Sequence, residues 1–531
     1  MDRSISPDQT SPRWPPRLLE AALALHDNRL ADAEPRLRAH LKDDPFDVAA
    51  IRMMAELAGR IGSYKDAEAL LRRALELSPD FTAARANLAV VLHRLNRPAE
   101  AIAELNIVTQ DEPDHPGHAN LKAAALGRIG GFDEAIVLYE QVLAQMPRQP
   151  RIWMSYGHML KTVGRQADGI AAYRRALDLA PGLGEVWWSL ANLKTIRFDD
   201  TDIAAMEAAL QQADISTEDR FHLDFALGKA YEDRREAEAA FRHYAAGNAL
   251  RRTTVQYDAD ETTRFVDDSI ATFTAGLFAA REGCPAPDPI FILGMPRAGS
   301  TLVEQILSSH SLVEGTSELP DIPALARTIA GYPAGVATLS ADELAAIGAD
   351  YLRRAAIQRR TDKPFFIDKL PNNWARAGLI RLILPNAKII DARRHPLGCC
   401  FSNFKQHFAR GQAFSYDLAE MGRYYRDYVR LMDHLDTAMP RPPHRVFYEA
   451  MVDDTEAQVR ALLDACGLEY EAACLAFHQT ERAVRTASSE QVRRPIFSEG
   501  KAAWLPFASY LDPLRNTLGD VLTMYPHASA S

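Results

Sequence analysis

Cysteine is scarce. The chain has five in 531 residues, at 284, 399, 400, 466 and 474, and no two form a C-x-x-C pair. A disulfide framework is therefore excluded, and a reduced compartment is expected. No uninterrupted run of about 20 apolar residues occurs, so no membrane-crossing helix is expected. The opening stretch, MDRSISPDQTSPRWPP, is polar and proline-rich and lacks the apolar core of a secretory signal. Positive charge is in deficit: Lys and Arg number 61 against 71 Asp and Glu, a net −10. Such a balance does not suit a coat for nucleic acid, although it leaves room for a local basic pocket. The expectation is a cytoplasmic protein with neither nucleic acid nor membrane as partner. Hydrophobic residues at 47% and charged ones at 25% are ordinary globular usage, which excludes wholesale disorder and collagen-like folds. The length calls for more than one domain.

What the first half does have is a period. Prolines at 45, 79, 113, 147 and 181 each follow the last by 34 residues. An amphipathic run precedes each one, and a small residue recurs in phase at Ala33, Ala67, Ala101, Ala135 and Gly169. A third phase holds Gly62, Asn96, Gly130 and Gly164. Small residues let two helices approach, Gly or Asn ends the first of them, and Pro opens the next unit. This pattern resembles the tetratricopeptide repeat, whose hairpins bury their apolar faces only by stacking on neighbours. A sixth unit with Trp187 and Trp188 loses the pattern at TIRFDDTDI, and FALGKAYEDRREAEAAFRHYAAGNALRR reads as a cap. The expected division is a disordered start over 1–15, an all-α solenoid over 16–252 and a helical linker over 253–285. A peptide or protein at the concave face of the solenoid is the expected partner.

From 286 to 525 the pattern becomes α/β. PIFILG, PFFID, AKIIDA and HRVFY read as short buried strands, each followed by a loop and a helix, which implies a mostly parallel sheet. Ligands of such sheets bind beyond the carboxyl ends of the strands. The first strand runs into Gly294-Met295-Pro296-Arg297-Ala298-Gly299-Ser300-Thr301 and then a helix. This is P-loop-like, but Ser300 stands where a nucleoside-triphosphate loop needs Lys.

PRAGSTLVEQILSSH resembles the 5′-phosphosulfate loop of the sulfotransferases, enzymes that use 3′-phosphoadenylyl sulfate (PAPS). The likeness is closest to their protein-tyrosine and bacterial repeat-bearing branches. In RRHPLGCCFS, Arg394 and Ser402, eight residues apart, resemble that family's 3′-phosphate clamp, with His395 in place of the usual Asp. The resemblance implies PAPS as donor, with no metal. It places Arg297, Ala298, Gly299, Ser300, Thr301, Arg394, Ser402 and Tyr448 at the nucleotide. Ser488, Gln491, Val492, Arg493, Arg494 and Pro495 would join them from a closing loop. Lys501 would stand in for the basic residue that Ala503 replaces before Trp504. Lys369, Arg297 and Ser488 would stabilise charge at the transferring group.

For the proton acceptor the resemblance favours Glu318 over His310, with His395 and His407 behind them. The arginines that grip the acceptor in the protein-tyrosine branch are absent at Leu319 and Pro320, so the sulfate acceptor stays open. The expected function is sulfuryl transfer to a hydroxyl acceptor positioned by the repeats. The alternatives are a non-catalytic repeat scaffold with a nucleotide-binding domain and a nucleotide kinase.

Overall fold

Every periodic Gly or Asn of the first half sits in the left-handed region: φ is 84° at Gly62, 62° at Asn96, 89° at Gly130 and 90° at Gly164. Only Gly, or an Asn whose amide bonds locally, enters that region at low cost. These residues turn the chain between the two helices of a hairpin. The computed structural model describes residues 14–281, 283–409, 411–480, 491–496 and 500–526, with the backbone alone at Ser317 and Gln491. The expected disordered start therefore lies outside the described residues, apart from Trp14 and Pro15. Five hairpins precede Ala180: α1 and α2 (Pro16–His26, Leu30–Asp43), α3 and α4 (Val48–Arg60, Tyr64–Leu77), α5 and α6 (Thr82–Arg94, Pro98–Asp111), α7 and α8 (Pro116–Ile129, Phe132–Gln145), α9 and α10 (Pro150–Thr162, Gln166–Leu179). Ala33, Ala67, Ala101 and Ala135 are fully buried where the paired helices cross. A Cβ at Gly169 would lie 3.2 Å from the Gly157 carbonyl, so the helices of the fifth hairpin approach closely there.

A second compact unit begins at Pro181. Its helices α11 (Gly184–Ala191), α12 (Asp200–Leu210), α13 (Thr217–Asp233), α14 (Ala237–Thr253), α15 (Ala259–Thr272) and α16 (Ala275–Ala280) share that unit with the sheet. Hydrogen bonds tie them to later parts of that unit, at one buried point and one half-buried one. Asn248 Nδ2 donates to the Phe404 carbonyl at 2.8 Å, and both oxygens of Glu420 accept from Arg252 at 2.8 Å.

Five strands form the sheet: β1 (Pro289–Gly294), β2 (Val313–Ser317), β3 (Phe365–Lys369), β4 (Lys388–Arg393) and β5 (His444–Phe447). Their order is β2-β3-β1-β4-β5 and every pairing is parallel. Four of the five correspond to the apolar runs read from sequence. β2, VEGTS, is an edge strand with a register shift between Gly315 and Ser317, and Val313 is its one fully buried apolar residue. Edge position and low apolar content explain why the sequence pattern does not announce it. Helix α17 (Ser300–Ser308) and the helix Thr455–Ala465 cover one face, where Ile290, Ile292, Ile306, Ile367, Ile390 and Val459 make the core. Each such side chain contributes about 1.5–3 kcal/mol by leaving water. Because β1 connects toward β2 on one side and β4 lies on the other, the crevice between β1 and β4 is the switch point of the sheet.

Candidate active site

The loop leaving β1 is shaped by three positive-φ residues: Gly294 at 134°, Arg297 at 66° and Gly299 at 100°. A Cβ on Gly294 would sit 2.3 Å from the Ala392 carbonyl on β4, so no side chain fits there. Gly299 caps α17, whose first residues Ser300 and Thr301 are buried. Arg297 has no glycine's freedom, and its left-handed backbone costs about 1–2 kcal/mol. Backbone strain of this kind is stored where function requires it. The outcome is a loop curled over the positive end of a helix, an arrangement that suits a phosphate or sulfate group.

Across the switch point, helix α18 (Pro396–Phe404) follows β4 and presents Ser402 to that loop. Arg297 Nε donates to Ser402 Oγ at 3.3 Å, and Arg394 Nη1 donates to the Arg297 carbonyl at 3.2 Å. Arg394 also donates to the Gly500 carbonyl at 2.5 Å, and its guanidinium lies 5.0 Å from the Tyr448 ring centroid. Of the two neighbouring arginines, Arg393 is turned away and bound to Asp391 at 2.7 Å. Burial, and after it the like charge of Arg394, brings the Arg297 guanidinium down to about 10. An anion between the two arginines would relieve both effects. At His395, where the resemblance expects Asp, the backbone N–H donates to Glu449 Oε1 at 3.0 Å and the ring stacks on Trp504.

These groups line a cavity of about 390 Å³ within the second unit. On the sheet side its wall comprises Arg297, Gly299, Ser300, Thr301, Arg394, Ser402, Tyr448, Val492 and Arg494. The opposite wall comes from α11, α13 and α14, with Trp188, Lys229, Glu232 and Tyr244, and from Lys405 just past α18. Glu232 fastens this wall: Lys405 donates to its Oε1 at 2.5 Å and Tyr244 to its Oε2 at 2.7 Å. The sheet-side residues are among those expected from the sequence, and the helical ones are not. The one available hint is Lys405, three residues beyond Ser402 and so on the same helical face.

The remaining predicted residues fall in three groups. Lys369, at the carboxyl end of β3, is buried; it donates to Glu318 Oε1 at 2.5 Å and lies 3.9 Å from Glu304 Oε2. Lys369 pairs with Ile292 of β1 in register, which sets this ion pair beside the phosphate-type loop, off the cavity wall. Lys501 is bonded to Asp453, and Ala298, Arg493 and Pro495 also lie off that wall. Ser488 lies outside the described residues, as does the Gln491 side chain. Among the rival bases, His310 is buried with both ring nitrogens engaged, Nε2 to the Glu469 carbonyl at 2.9 Å and Nδ1 to the Leu312 N–H at 3.1 Å. His407 is packed edge-on against His222, ring centroids 4.6 Å apart, and burial pushes it down to about 2.

Residues 289–472 match the sulfotransferase family, and residues 62–125 and 120–183 match tetratricopeptide-repeat families. The chain thus joins segments that match tetratricopeptide repeats to a segment that matches the sulfotransferase family. An uncharacterized protein of Aquifex aeolicus (strain VF5) is 32% identical over 331 residues, which cover 59% of this chain and 43% of that one. The chain thus spans under half the length of that relative. Similar solved structures include YrrB, described as a TPR protein with an unusual peptide-binding site, at 20% identity and a TM-score of 0.29. That likeness covers 31% of this chain and 86% of YrrB. MamA 41-end from Desulfovibrio magneticus RS-1 is 15% identical with a TM-score of 0.29, covering 32% of this chain and 97% of its own. The matched sulfotransferase segment contains the Arg297 loop, Glu318, Lys369, Arg394, Ser402 and Lys405, and it excludes the α11, α13 and α14 wall.

Proposed function

We infer that this chain transfers a sulfuryl group from PAPS to a hydroxyl acceptor, and that its repeats recruit or position that acceptor. The observation that carries this reading is the junction of two anion-binding signatures from distant parts of the sequence, through the Arg297–Ser402 and Arg394–Arg297 bonds. A donor with phosphate at both its 3′ and 5′ positions needs two such sites in one cavity. Arg394 and Ser402 suit the 3′-phosphate, while the backbone of the Arg297 loop and the start of α17 suit the 5′-phosphosulfate. Bound there, PAPS supplies an activated sulfuryl group on a phosphate leaving group.

The protein's part in the reaction is positioning, charge stabilisation and proton removal. As the acceptor O–S bond forms and the phosphosulfate bond breaks, Arg297 and Lys369 balance charge that develops on the transferring and leaving oxygens. Glu318 takes the acceptor proton, and its half-exposed carboxylate can be reached by an acceptor from solvent. No step in this transfer runs through a metal. The carboxylate on the described cavity wall, Glu232, is already committed to Lys405 and Tyr244. Incubation of the full chain with sulfur-labelled PAPS and a panel of phenolic, peptidyl and sugar hydroxyls tests the proposal. Label transfer to one acceptor class supports it, and nucleotide binding with no transfer to any acceptor favours a scaffold.

A further inference from the structure

The 34-residue period provides an internal reference for each repeat position. Five residues past the unit prolines stand Ala50, Ala84, His118, Ile152 and Val186. Ala50, Ala84 and Val186 are fully buried in helix packing, so an imidazole at this position breaks the pattern. Two residues past the prolines stand Asp47, Phe81, His115, Gln149 and Leu183, and four past them Ala49, Ala83, Gly117, Arg151 and Glu185. The third unit is thus the one with two histidines, and the one with a glycine between them. All three departures fall at the N-terminal end of α7, His115 at its cap and Gly117 and His118 in its first turn.

The fold gathers these residues with Glu112. The rings of His115 and His118 stack with centroids 4.0 Å apart and planes 25° from parallel. Glu112 Oε2 lies 3.5 Å from His118 Nδ1. One ligand atom from each of the three residues lies within 4.8 Å of the other two. Gly117 makes this possible: a Cβ there would meet His115 Cε1 at 3.0 Å and Nδ1 at 3.2 Å. Helix capping explains only part of the arrangement. His115 Nδ1 accepts the His118 N–H at 3.3 Å and so caps α7, but a cap needs neither a second imidazole nor a glycine at 117.

Two imidazoles and a carboxylate in mutual reach are a donor set for a borderline divalent ion such as zinc, cobalt or nickel. Magnesium and calcium prefer all-oxygen sites. The positive end of α7 opposes a cation, and the acidic stretch Asp111, Glu112 and Asp114 around the turn offsets it. We propose that Glu112, His115 and His118 form a divalent transition-metal site that pins the turn between the third repeat's proline and its first helix.

The test uses the full chain. Zinc is titrated by calorimetry, and cobalt is added to record the visible absorption of its bound form. One zinc ion per chain is expected. His118→Ala installs the residue that the first and second units carry, so the repeat keeps its packing, which circular dichroism checks. Its zinc affinity should fall at least about tenfold, since loss of even a supporting partner costs that much. Gly117→Ala removes no ligand and should also weaken zinc binding, by displacing the His115 ring. Zinc affinity unchanged in His118→Ala, or no stoichiometric zinc binding by the intact chain, overturns the proposal.

Discussion

Lys369 Nζ lies 2.5 Å from Glu318 Oε1, joining a buried ammonium at a strand end to a carboxylate that is 46% exposed. The pair couples the two groups assigned to charge stabilisation and proton removal, so the two substitutions should have distinguishable effects. Glu318→Gln keeps size and polarity and removes basicity, and turnover should fall by about 10²–10⁴-fold with PAPS affinity nearly unchanged. Lys369→Met should also lower turnover, while the acidic limb of the pH profile stays in place. Steady-state kinetics and calorimetry of both variants check this. Near-normal turnover in Glu318→Gln would remove Glu318 from the role of base.

Arg394→Ala should weaken 3′-phosphoadenosine 5′-phosphate far more than adenosine 5′-phosphosulfate, because only the first carries the 3′-phosphate. A charge-assisted hydrogen bond is worth about 1.5–3 kcal/mol, or roughly 10–150-fold in affinity. Calorimetry with the two ligands measures the difference, and equal losses would contradict the clamp.

Gly228→Ala tests the helical wall. A Cβ at 228 would lie 2.6 Å from Cδ1 of the buried Tyr244 ring, whose hydroxyl holds Glu232 in place. Overpacking of this kind costs about 1–3 kcal/mol. Thermal melting should drop, and nucleotide affinity should fall with it as Lys405 loses its fixed partner. Unchanged melting would show that the wall yields without cost.

Acid should destabilise the second unit through its buried imidazoles. Burial holds His222 down to about 4 and His407 down to about 2, so both are neutral in the folded chain at pH 7. In the unfolded chain both take up protons below about 6.5. The stability they confer is therefore present above pH 6.5 and is lost as pH falls below it, by up to about 1.4 kcal/mol per unit per group. Denaturant titrations at pH 7.5 and 5.5 check the direction. His407→Phe should make the decline shallower, since a phenyl ring takes no proton.

Legibility in the sequence follows how local each feature is. The hairpin turns were readable because left-handed backbone selects Gly or Asn, and the buried strands because their apolar runs are continuous. The Arg297 loop and the Arg394–Ser402 spacing were readable because each is a short segment with its own chemistry. The edge strand β2 was not, since it buries little apolar surface. Nor was the wall of Trp188, Lys229, Glu232 and Tyr244, which reaches the site through packing of helices distant in sequence. Those helices keep the two-helix look of the repeats, so composition alone assigns them to the solenoid, whereas the structure groups them with the sheet.

That grouping bears on how the protein can be cut. A fragment started at the first strand, near residue 286, would leave Trp188, Lys229, Glu232 and Tyr244 behind and open the cavity on one side. It would also expose the backbone and side-chain partners of Asn248 and Arg252. A piece begun at Pro181, where the last repeat proline falls, keeps all of these lining residues together. A cut that respects the second unit therefore falls at that proline and not at the polar stretch before β1.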